Sequence, residues 1–333
     1  MDDAMVVTDL VKTYRPKTPA AVDGLSFQVN AGEIFGLLGP NGAGKTTTIG
    51  VMTTRVRPTS GRGVIHGVDV VKNATAARQL LAVVPQRNNL DRSLTVRQNL
   101  MFHAAYHRMP RAQRARRADE LLEQMELTAH AKGRVDYLSG GMAQRVMIAR
   151  ALMHEPKVMF LDEPSAGLDP QARLFVHDKV AELRSAGVTI MLTTHDMDEA
   201  AKLCDRIGII DHGKLLALDT PEALTRMLPG NTTLTLTVNL GSATADEIRT
   251  LLGDVPEVER VERVGPPAPP PELVAPDAEA LVQFRVFTES KPVSAMPAVL
   301  KAMADGNHEV RDLTVGKPSL EDVFIHLTGR DLR

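Results

Sequence analysis

The chain has 333 residues, a hydrophobic content of 43% and a formal net charge of −2 at pH 7. This length suffices for two domains with separate cores, and the near-neutral charge excludes the global basic field of many nucleic-acid binders. The single cysteine, Cys204, excludes an intrachain disulfide and fits a reducing compartment. No apolar run approaches the roughly 18 residues of a membrane helix, and the acidic N-terminus lacks a signal-peptide pattern. If the protein works at a membrane, we expect another chain to provide the span.

The first two thirds of the chain alternate apolar strands with turns and helices. The segments "MVVTDLVKTY", "LSFQV" and "EIFGLL" predict strands, and the helix start "TTTIGVMTT" follows a glycine-rich turn. Residues 87–137 are polar and lack a two-residue alternation, so they predict a helical subdomain. "KVMFLDEP" and "VTIMLTTHD" end in polar residues, as buried parallel strands with functional tips do. "RIGIIDHGKLLALDT" predicts a hairpin.

The last third of the chain has a different pattern. From residue 231 the predicted order is strand, helix, strand, strand, helix, strand, which is the split βαβ arrangement of a ferredoxin-like unit. Six prolines between residues 265 and 279 predict a mobile loop inside this unit. A last helix is predicted at "PSLEDVFIHLTGR". We therefore expect an α/β domain over residues 1–230 and a smaller accessory α+β domain over residues 231–333.

A phosphate-binding loop is predicted at "GPNGAGKT", Gly39 to Thr46. The segment fits G-x-x-x-x-G-K-[ST] and lies between a predicted strand and a predicted helix, which is the context that the motif requires. The glycines let backbone N–H groups face the phosphates, and the helix N-terminus adds its positive dipole end. Lys45 is expected at the β- and γ-phosphates and the Thr46 hydroxyl on Mg²⁺. The nucleotide-binding residues predicted here are Gly39, Pro40, Asn41, Gly42, Ala43, Gly44, Lys45, Thr46 and Thr47.

Two acidic residues complete a nucleotide-hydrolysis pattern. The apolar run "VMFLDE" carries Asp162 to a strand end, where its carboxylate can hold Mg²⁺ through water. Glu163 follows directly and can polarise the attacking water. Any buried strand can end in two acids, but a preceding phosphate loop makes this pattern specific.

The segment "LSGGMAQRV", Leu138 to Val146, resembles the ATP-binding cassette (ABC) family, whose signature begins L-S-G-G. Gln86 in "VVPQRNN" matches the family's Q-loop, and "SAGLD", Ser165 to Asp169, matches its D-loop. The motifs occur in family order, and the resemblance covers about residues 5–225. It implies a P-loop NTPase cassette, in which a mixed sheet carries a helical subdomain.

The resemblance also assigns roles to isolated residues. His195 matches the switch histidine that senses the γ-phosphate, and the alternative is a hydrogen-bonded histidine at a strand end. Tyr14 matches an aromatic that stacks on adenine, with Val22 as an apolar neighbour of the base; the alternative is packing of Tyr14 on its own sheet. Gln86 is expected to link a partner contact to Mg²⁺ and the attacking water.

In the family, the signature segment covers the γ-phosphate of a second copy. Ser139, Gly140 and Gly141 would therefore serve the partner's nucleotide. Asp169 of the D-loop is also predicted to bind nucleotide. Met142 stands where the family usually has Gln, which removes a polar contact and leaves the contact of the signature with the ribose undefined. A homodimer that closes on ATP binding is the implied assembly.

The tail, residues 231–333, ends in "PSLEDVFIHLTGR" and makes the resemblance more specific. With this tail the chain resembles the ATPase subunits of drug exporters of the daunorubicin-resistance type. This implies an ATPase that uses ATP and Mg²⁺, docks on a separate permease at the cytoplasmic face of the membrane, and powers efflux of a drug, lipid or other amphipathic compound. No nucleic-acid partner is expected. The alternative is a soluble cassette ATPase that acts on nucleic acid or ribosomes, and a further possibility makes residues 231–333 a regulatory module.

Two other patterns have simpler explanations. Arginines are dense between Arg108 and Arg117, but the acidic residues that follow indicate a solvated helix face rather than a nucleic-acid or lipid patch. His103 and His107 have the i, i+4 spacing of metal ligands. With no further ligand close to them in the sequence, we predict no metal site there.

Overall fold

The computed structural model describes residues 3–228, 230, 232–241, 243–264 and 281–328. The chain divides into two compact units, Met1–Thr220 and Pro221–Arg333. The division falls ten residues before the boundary expected after residue 230, because helix α8 (Pro221–Thr225) packs against the last helix, α11 (Leu320–Thr328). The proline-rich loop predicted at residues 265–279 lies outside the described residues. Each unit is described below by itself.

The first unit contains an antiparallel sheet with the order β2-β1-β4-β5. Its strands are β1 (Asp3–Lys12), β2 (Val22–Asn30), β4 (Ser60–Ile65) and β5 (Val68–Asp69). Alternate residues of β2 are buried, as the two-residue period of a sheet with one covered face requires. These residues join a core that also includes Phe35 and Phe160 of the second sheet.

The second sheet of this unit has the order β10-β9-β3-β8-β7-β6. Strands β9, β3, β8, β7 and β6 are parallel, and β10 is antiparallel to β9. Every residue of β3, β7 and β8 is buried, which explains their continuous apolar sequences. The mixed sheet and the β9–β10 hairpin confirm the predicted architecture. The strands are β3 (Ile34–Leu38), β6 (Leu81–Val84), β7 (Val158–Asp162), β8 (Thr189–Thr194), β9 (Arg206–Asp211) and β10 (Lys214–Asp219).

Helices follow the strand ends and fill the segment between β6 and β7. A capping box of Thr95 and Gln98 starts α3, and Arg97 of this helix forms an ion pair with Asp119 of α4 at 2.7 Å. Short 3₁₀ helices lie at Thr128–His130, Val135–Tyr137 and Leu152–His154. The α-helices of the unit are α1 (Lys45–Met52), α2 (Ala74–Leu80), α3 (Val96–Tyr106), α4 (Arg111–Gln124), α5 (Gly140–Ala151), α6 (Pro170–Ser185) and α7 (Met197–Leu203).

The second unit contains an antiparallel sheet with the order β12-β13-β11-β14. This is the strand order of a ferredoxin-like βαββαβ unit, so the predicted fold is confirmed. The apolar faces of both crossover helices pack on the sheet, where Leu236 and Phe284 are fully buried. The elements are β11 (Thr232–Asn239), α9 (Ala245–Gly253), β12 (Arg260–Val264), β13 (Leu281–Thr288), α10 (Pro292–Asp305) and β14 (Glu309–Gly316).

The segment "SLEDVF" before and within α11 forms a polar clamp on this sheet. Asp322 is 2% exposed and accepts hydrogen bonds from the backbone N–H of Ser319 at 2.6 Å and from its hydroxyl at 2.8 Å. The other carboxylate oxygen of Asp322 pairs with Arg285 of β13. The tail motif therefore has a structural role, because it fixes the start of α11 to the sheet through a buried charge pair.

Candidate active site

The phosphate loop connects β3 to α1 in a tight backbone path. A Cβ atom on Gly39 would lie 2.2 Å from the carbonyl oxygen of Ile210, and one on Gly44 would lie 2.5 Å from that of Ala21. Gly44 also has φ +108°, a conformation that residues with a side chain rarely adopt. Glycine is therefore required at both ends of the loop, because the backbone of another segment lies too close for a side chain. Of the residues between them, Asn41 and Gly42 are exposed and Ala43 is buried.

Lys45 is buried at the centre of this loop. Its ammonium group donates hydrogen bonds to the carbonyl oxygens of Gly39 at 2.6 Å and Pro40 at 3.1 Å. Burial lowers the pKa of Lys45, while the charges of Glu163 and Asp162 act in the opposite direction. A buried ammonium group held only by neutral carbonyls gains most from a polyanionic ligand such as a triphosphate.

The residues beyond Lys45 lie at the edge of the loop. Thr46 is exposed, and the hydroxyl of Thr47 is 3.3 Å from that of Tyr14. Tyr14 is 60% exposed, and the ammonium group of Lys12 lies 5.0 Å from its ring centroid. Tyr14 therefore lies beside the loop with much of its surface free to contact a base. Val22 is fully buried, so its contact with a base stays a prediction.

Three side chains from three neighbouring strand ends meet at Glu163. Gln86, two residues after β6, donates from Nε2 to Glu163 Oε2 at 2.8 Å. His195, directly after β8, places Nδ1 3.3 Å from Glu163 Oε1. Glu163 has φ +49°, a sparsely populated conformation that costs about 1–3 kcal/mol for a residue with a side chain. The three residues predicted to be catalytic are thus brought together around one carboxylate.

Asp162 lies at the end of β7 and is nearly buried. Its Oδ1 accepts a 2.6 Å hydrogen bond from the hydroxyl of Thr193 on the adjacent strand β8. Thr193 also anchors Glu163, the residue after Asp162, because the carbonyl oxygen of Thr193 accepts the backbone N–H of Glu163 at 3.0 Å. Thr193 is not among the residues predicted from the sequence, although a threonine two residues before His195 in a buried strand is a signal for this role.

The signature segment starts helix α5 and packs on the start of α6. The Ser139 hydroxyl caps α5 by accepting the backbone N–H of Met142 at 3.2 Å, and Asp169 caps α6 in the same way. A Cβ atom on Gly141 would lie 2.7 Å from the Cβ of Ala172 in α6, whereas Gly140 is exposed with open space around it. The signature and the D-loop thereby present two helix N-termini side by side, which suits an anionic ligand.

A groove of about 300 Å³ opens beside these two helix starts. Ser139, Gly141, Met142 and Asp169 all contribute to its lining. None of residues 39–47, all of which the structure describes, lines this groove. Within one chain, the predicted nucleotide-binding residues are therefore divided between the phosphate loop and this separate groove.

Two buried polar contacts connect these segments, and neither was identified from the sequence. Gln144 of α5 donates to the carbonyl oxygen of Pro164 at 2.8 Å, which ties the signature helix to the residue after Glu163. His177 of α6 places Nε2 3.3 Å from the Ser165 hydroxyl and 3.0 Å from a carboxylate oxygen of Glu199. His177 thus links the D-loop to α7, which follows His195. Such contacts join elements distant in sequence, so no local pattern marks them.

Comparison with known proteins identifies the family. The profile described as "ABC transporter" matches residues 22–166. The chain is 40% identical to Nod factor export ATP-binding protein I of Paraburkholderia xenovorans, over 100% of both chains. It is 37% identical to a linearmycin resistance ATP-binding protein of Bacillus subtilis over 98% of both chains. It is 38% identical to a daunorubicin resistance ATP-binding protein of Streptomyces coeruleorubidus, over 100% of this chain and 98% of the relative.

Solved structures give the same result for the first unit. The CbiO1 subunit from Clostridium perfringens, described as part of an ABC transporter complex, matches with a TM-score of 0.62 and 29% identity over 68% of this chain and 92% of that one. The ATP-binding cassette MJ0796, described as dimeric and bound to ADP and phosphate, matches with a TM-score of 0.60 and 27% identity over 65% and 98%. The resemblance found in the sequence is thus confirmed, and the chain belongs to the ABC transporter family as an ATP-binding cassette ATPase.

Proposed function

We propose that this chain is the ATP-hydrolysing subunit of a two-component exporter. The observation that carries the proposal is the meeting of Gln86, Glu163 and His195 at the carboxyl ends of three parallel strands. These strand ends are the usual ligand edge of such a sheet. The phosphate loop follows β3, which pairs with β8 in the same sheet. Hydrolysis of the γ-phosphate is the chemistry that this arrangement suits best.

Each residue has a role that follows from its position. Lys45 exchanges its carbonyl partners for phosphate oxygens when ATP binds, because a charge-assisted contact is the stronger one. Glu163 orients the attacking water and accepts its proton, while His195 contacts the γ-phosphate and Gln86 holds the carboxylate of Glu163 in place. Tyr14 stacks on adenine.

The residues around Asp162 fit a Mg²⁺ site. The free carboxylate oxygen of Asp162, the exposed hydroxyl of Thr46 and the amide oxygen of Gln86 are the hard oxygen donors that Mg²⁺ prefers, and Gln86 uses only its Nε2 on Glu163. When bound, Mg²⁺ would offset the charge of the β- and γ-phosphates. The residues that we propose to hold it are Thr46, Gln86 and Asp162.

In this proposal, two copies of the chain together form two active sites, and each site uses residues of both copies. The groove at Ser139 and Asp169 presents helix N-termini but contains no phosphate-loop residue of its own chain. A second copy that is related by two-fold symmetry would place this groove on the γ-phosphate of the first, and the isologous arrangement then creates two equal sites. ATP binding closes the dimer and hydrolysis reopens it, because the contacts that favour closure depend on the γ-phosphate.

Export rests on the relatives, which are named for resistance and for Nod factor export. Within the part of the chain that the structure describes, no helix is long and apolar enough to cross a bilayer. A separate permease would therefore form the pathway, and the chain would dock on its cytoplasmic side through residues 87–137. Residues 1–230 would form the cassette and residues 231–333 an accessory domain. None of the comparisons reported above supports action on ribosomes or nucleic acid.

The change Glu163→Gln tests the catalytic assignment. It keeps the shape of the side chain but removes the base, so we expect ATP hydrolysis to fall by about 10²-fold or more while ATP binding survives. The ATP-bound dimer should then accumulate at twice the 36.2 kDa mass of the chain, measured by size exclusion with light scattering. Glu155→Gln is a matched control, because Glu155 also has positive φ but is the exposed C-cap residue of the 3₁₀ helix after α5. Normal turnover in the Glu163→Gln variant would contradict the assignment.

The partner assignment needs a separate experiment. The tagged Glu163→Gln protein, held in ATP and Mg²⁺, should copurify from detergent-solubilised host membranes with a protein of several apolar spans of about 20 residues each. Reconstitution of the purified pair in liposomes should then raise the ATPase rate of the wild-type chain. Copurification with ribosomes or DNA instead would contradict the exporter and favour the alternative class.

A further inference from the structure

Three histidines that are not among the residues of the proposed active site lie together in the first unit. His103 and His107 are one turn apart on α3, and His154 ends the 3₁₀ helix that follows α5. One ring nitrogen from each of the three lies within 4.8 Å of the others. The structure thus provides the third nitrogen donor that is absent from the local sequence around the first two.

The hydrogen bond of His154 places a free lone pair in the cluster. His154 Nε2 is 2.9 Å from the carbonyl oxygen of Leu81 and can only donate to it, so Nδ1 holds the lone pair. The Nδ1 atoms of His154 and His107 are buried and have no hydrogen-bond partner among the residues that the structure describes. A histidine that donates one N–H to a backbone carbonyl and leaves its other nitrogen free is in the state in which it ligates metals.

Burial keeps these imidazoles neutral. It lowers the pKa of His103 to about 3 and that of His107 to about 4, and it also lowers that of His154. Neutral imidazole is the form that ligates a metal ion.

The cluster faces a cavity of about 600 Å³. The cavity is lined by four arginines and by no aspartate or glutamate among the described residues, the arginines being Arg55, Arg78, Arg87 and Arg150. Arg150 lies close enough for its charge to contribute to the lowered pKa of His103, and its guanidinium donates to the carbonyl oxygen of Asn89 at 3.1 Å. The positive charge of the arginines would act on a cation bound in the cluster. It therefore favours an anionic ligand from solution, such as hydroxide or chloride, beside that cation.

We propose that His103, His107 and His154 form a binding site for a divalent transition-metal ion with a preference for nitrogen ligands, of which Zn²⁺ is the natural probe. Three imidazoles with a fourth position open to a cavity match a known coordination pattern for Zn²⁺. Ligand nitrogens in a tetrahedral site lie about 3.3 Å apart, so the cluster has to contract. The rings of His107 and His154 are nearly parallel at 3.6 Å, and one of them must turn about its soft ring torsion.

A bound ion would add a direct link between two segments that pack against each other. It would tie α3 to the chain segment that follows α5, the helix that starts at the signature. We therefore expect Zn²⁺ to raise the melting temperature of the nucleotide-free chain by mass action, with a shift that grows as the logarithm of the Zn²⁺ concentration once this exceeds the dissociation constant.

Titration calorimetry of the purified, nucleotide-free full chain with ZnCl₂ tests the proposal. We expect one ion per chain, with affinity at least about 10-fold weaker in His154→Ala and in His107→Ala, because a lost ligand costs no less than a lost outer-shell partner. His308→Ala, which removes a histidine of the second unit, is the control and should bind as the wild type does. Unchanged affinity in both cluster variants, or no Zn²⁺ binding by the wild type at a tenfold molar excess, would overturn the proposal.

A measurement on the wild type alone keeps the proposal testable if the variants do not fold. X-ray absorption of the Zn²⁺-loaded chain should show three imidazole nitrogens at about 2.0–2.1 Å and one further light atom. Fewer than three imidazoles, or any sulfur ligand, would overturn the assignment to these residues.

Discussion

Mixing two inactive variants should restore activity if each active site is shared between two chains. In Lys45→Ala the phosphate loop loses its ammonium group, and charge-assisted contacts of this kind contribute about 1.5–3 kcal/mol each. In Ser139→Ala the signature loses the hydroxyl that caps α5 through the backbone N–H of Met142. Each homodimer then carries the same defect in both of its sites, and we expect both to hydrolyse ATP poorly.

A mixed dimer has a different distribution of defects. One site combines the damaged loop with the damaged signature, whereas the other combines an intact Lys45 with an intact Ser139. Random pairing of equal amounts makes about half of the dimers mixed, and one of the two sites in each is complete. The recovered rate should therefore approach about a quarter of the wild-type rate, if the two sites act independently.

The assay compares the ATPase rate of the mixture with the mean rate of the separate variants. Differently tagged chains and crosslinking must show that mixed dimers form, and trapping of labelled nucleotide reports on occlusion at the repaired site. If mixed dimers are proven but neither hydrolyse nor occlude ATP, the shared site is refuted. Recovery in a mixture of Lys45→Ala with Lys45→Gln would refute it as well, because no pairing of those two variants contains an intact loop.

Three further predictions concern single features. Thr193→Val keeps the volume of a fully buried side chain but leaves the Asp162 carboxylate without its 2.6 Å donor, so the free energy of unfolding in urea should fall by about 1–3 kcal/mol. A fragment of residues 1–230 should fold and bind ATP, measured by circular dichroism and fluorescent-nucleotide titration, whereas failure to bind would contradict the proposed boundary. Burial, and next the charges of Glu199 and Asp205, raise the pKa of the Cys204 thiol, so iodoacetamide should label it at pH 8 only after unfolding.

The nucleotide-binding parts of the fold were predictable because their signals are local. The loop "GPNGAGKT" and the apolar strand before Asp162 each combine their chemistry and their secondary structure within ten residues. The sequence order of the second unit was also informative, since βαββαβ restricts the sheet to few topologies. Residues 55–86 contain no predicted element, although β4, β5, α2 and β6 lie there. These elements are short, and their hydrophobic periods are correspondingly weak.

Features that depend on long-range packing could not be predicted. His154 is 47 positions from His107, and only the packing of the 3₁₀ helix after α5 against α3 brings their rings to 3.6 Å. In the sequence, Thr193 is one more β-branched residue of a predicted strand. Its role follows from its pairing with Asp162 across β7 and β8. Val22 was predicted as an apolar neighbour of the base, yet it is fully buried in the core of the first unit, a burial that depends on long-range packing.

The position of Gln86 explains how one hydrogen bond can link a distant contact to hydrolysis. Gln86 follows β6, the edge strand of the parallel sheet, and the next residues leave the sheet to line the cavity beside α3. His195 and Asp162, in contrast, follow or end strands in the interior of the sheet, which packing holds on both faces. A movement of the exposed segment by about 1 Å would stretch the 2.8 Å bond from Gln86 to Glu163 past the hydrogen-bonding limit. Because the strained backbone of Glu163 is held at its N–H by Thr193, its carboxylate would then turn without displacing Asp162. A partner that presses on the segment after Gln86 would therefore move the proposed base, Glu163, and the proposed Mg²⁺ ligand Gln86 while Asp162 stays fixed.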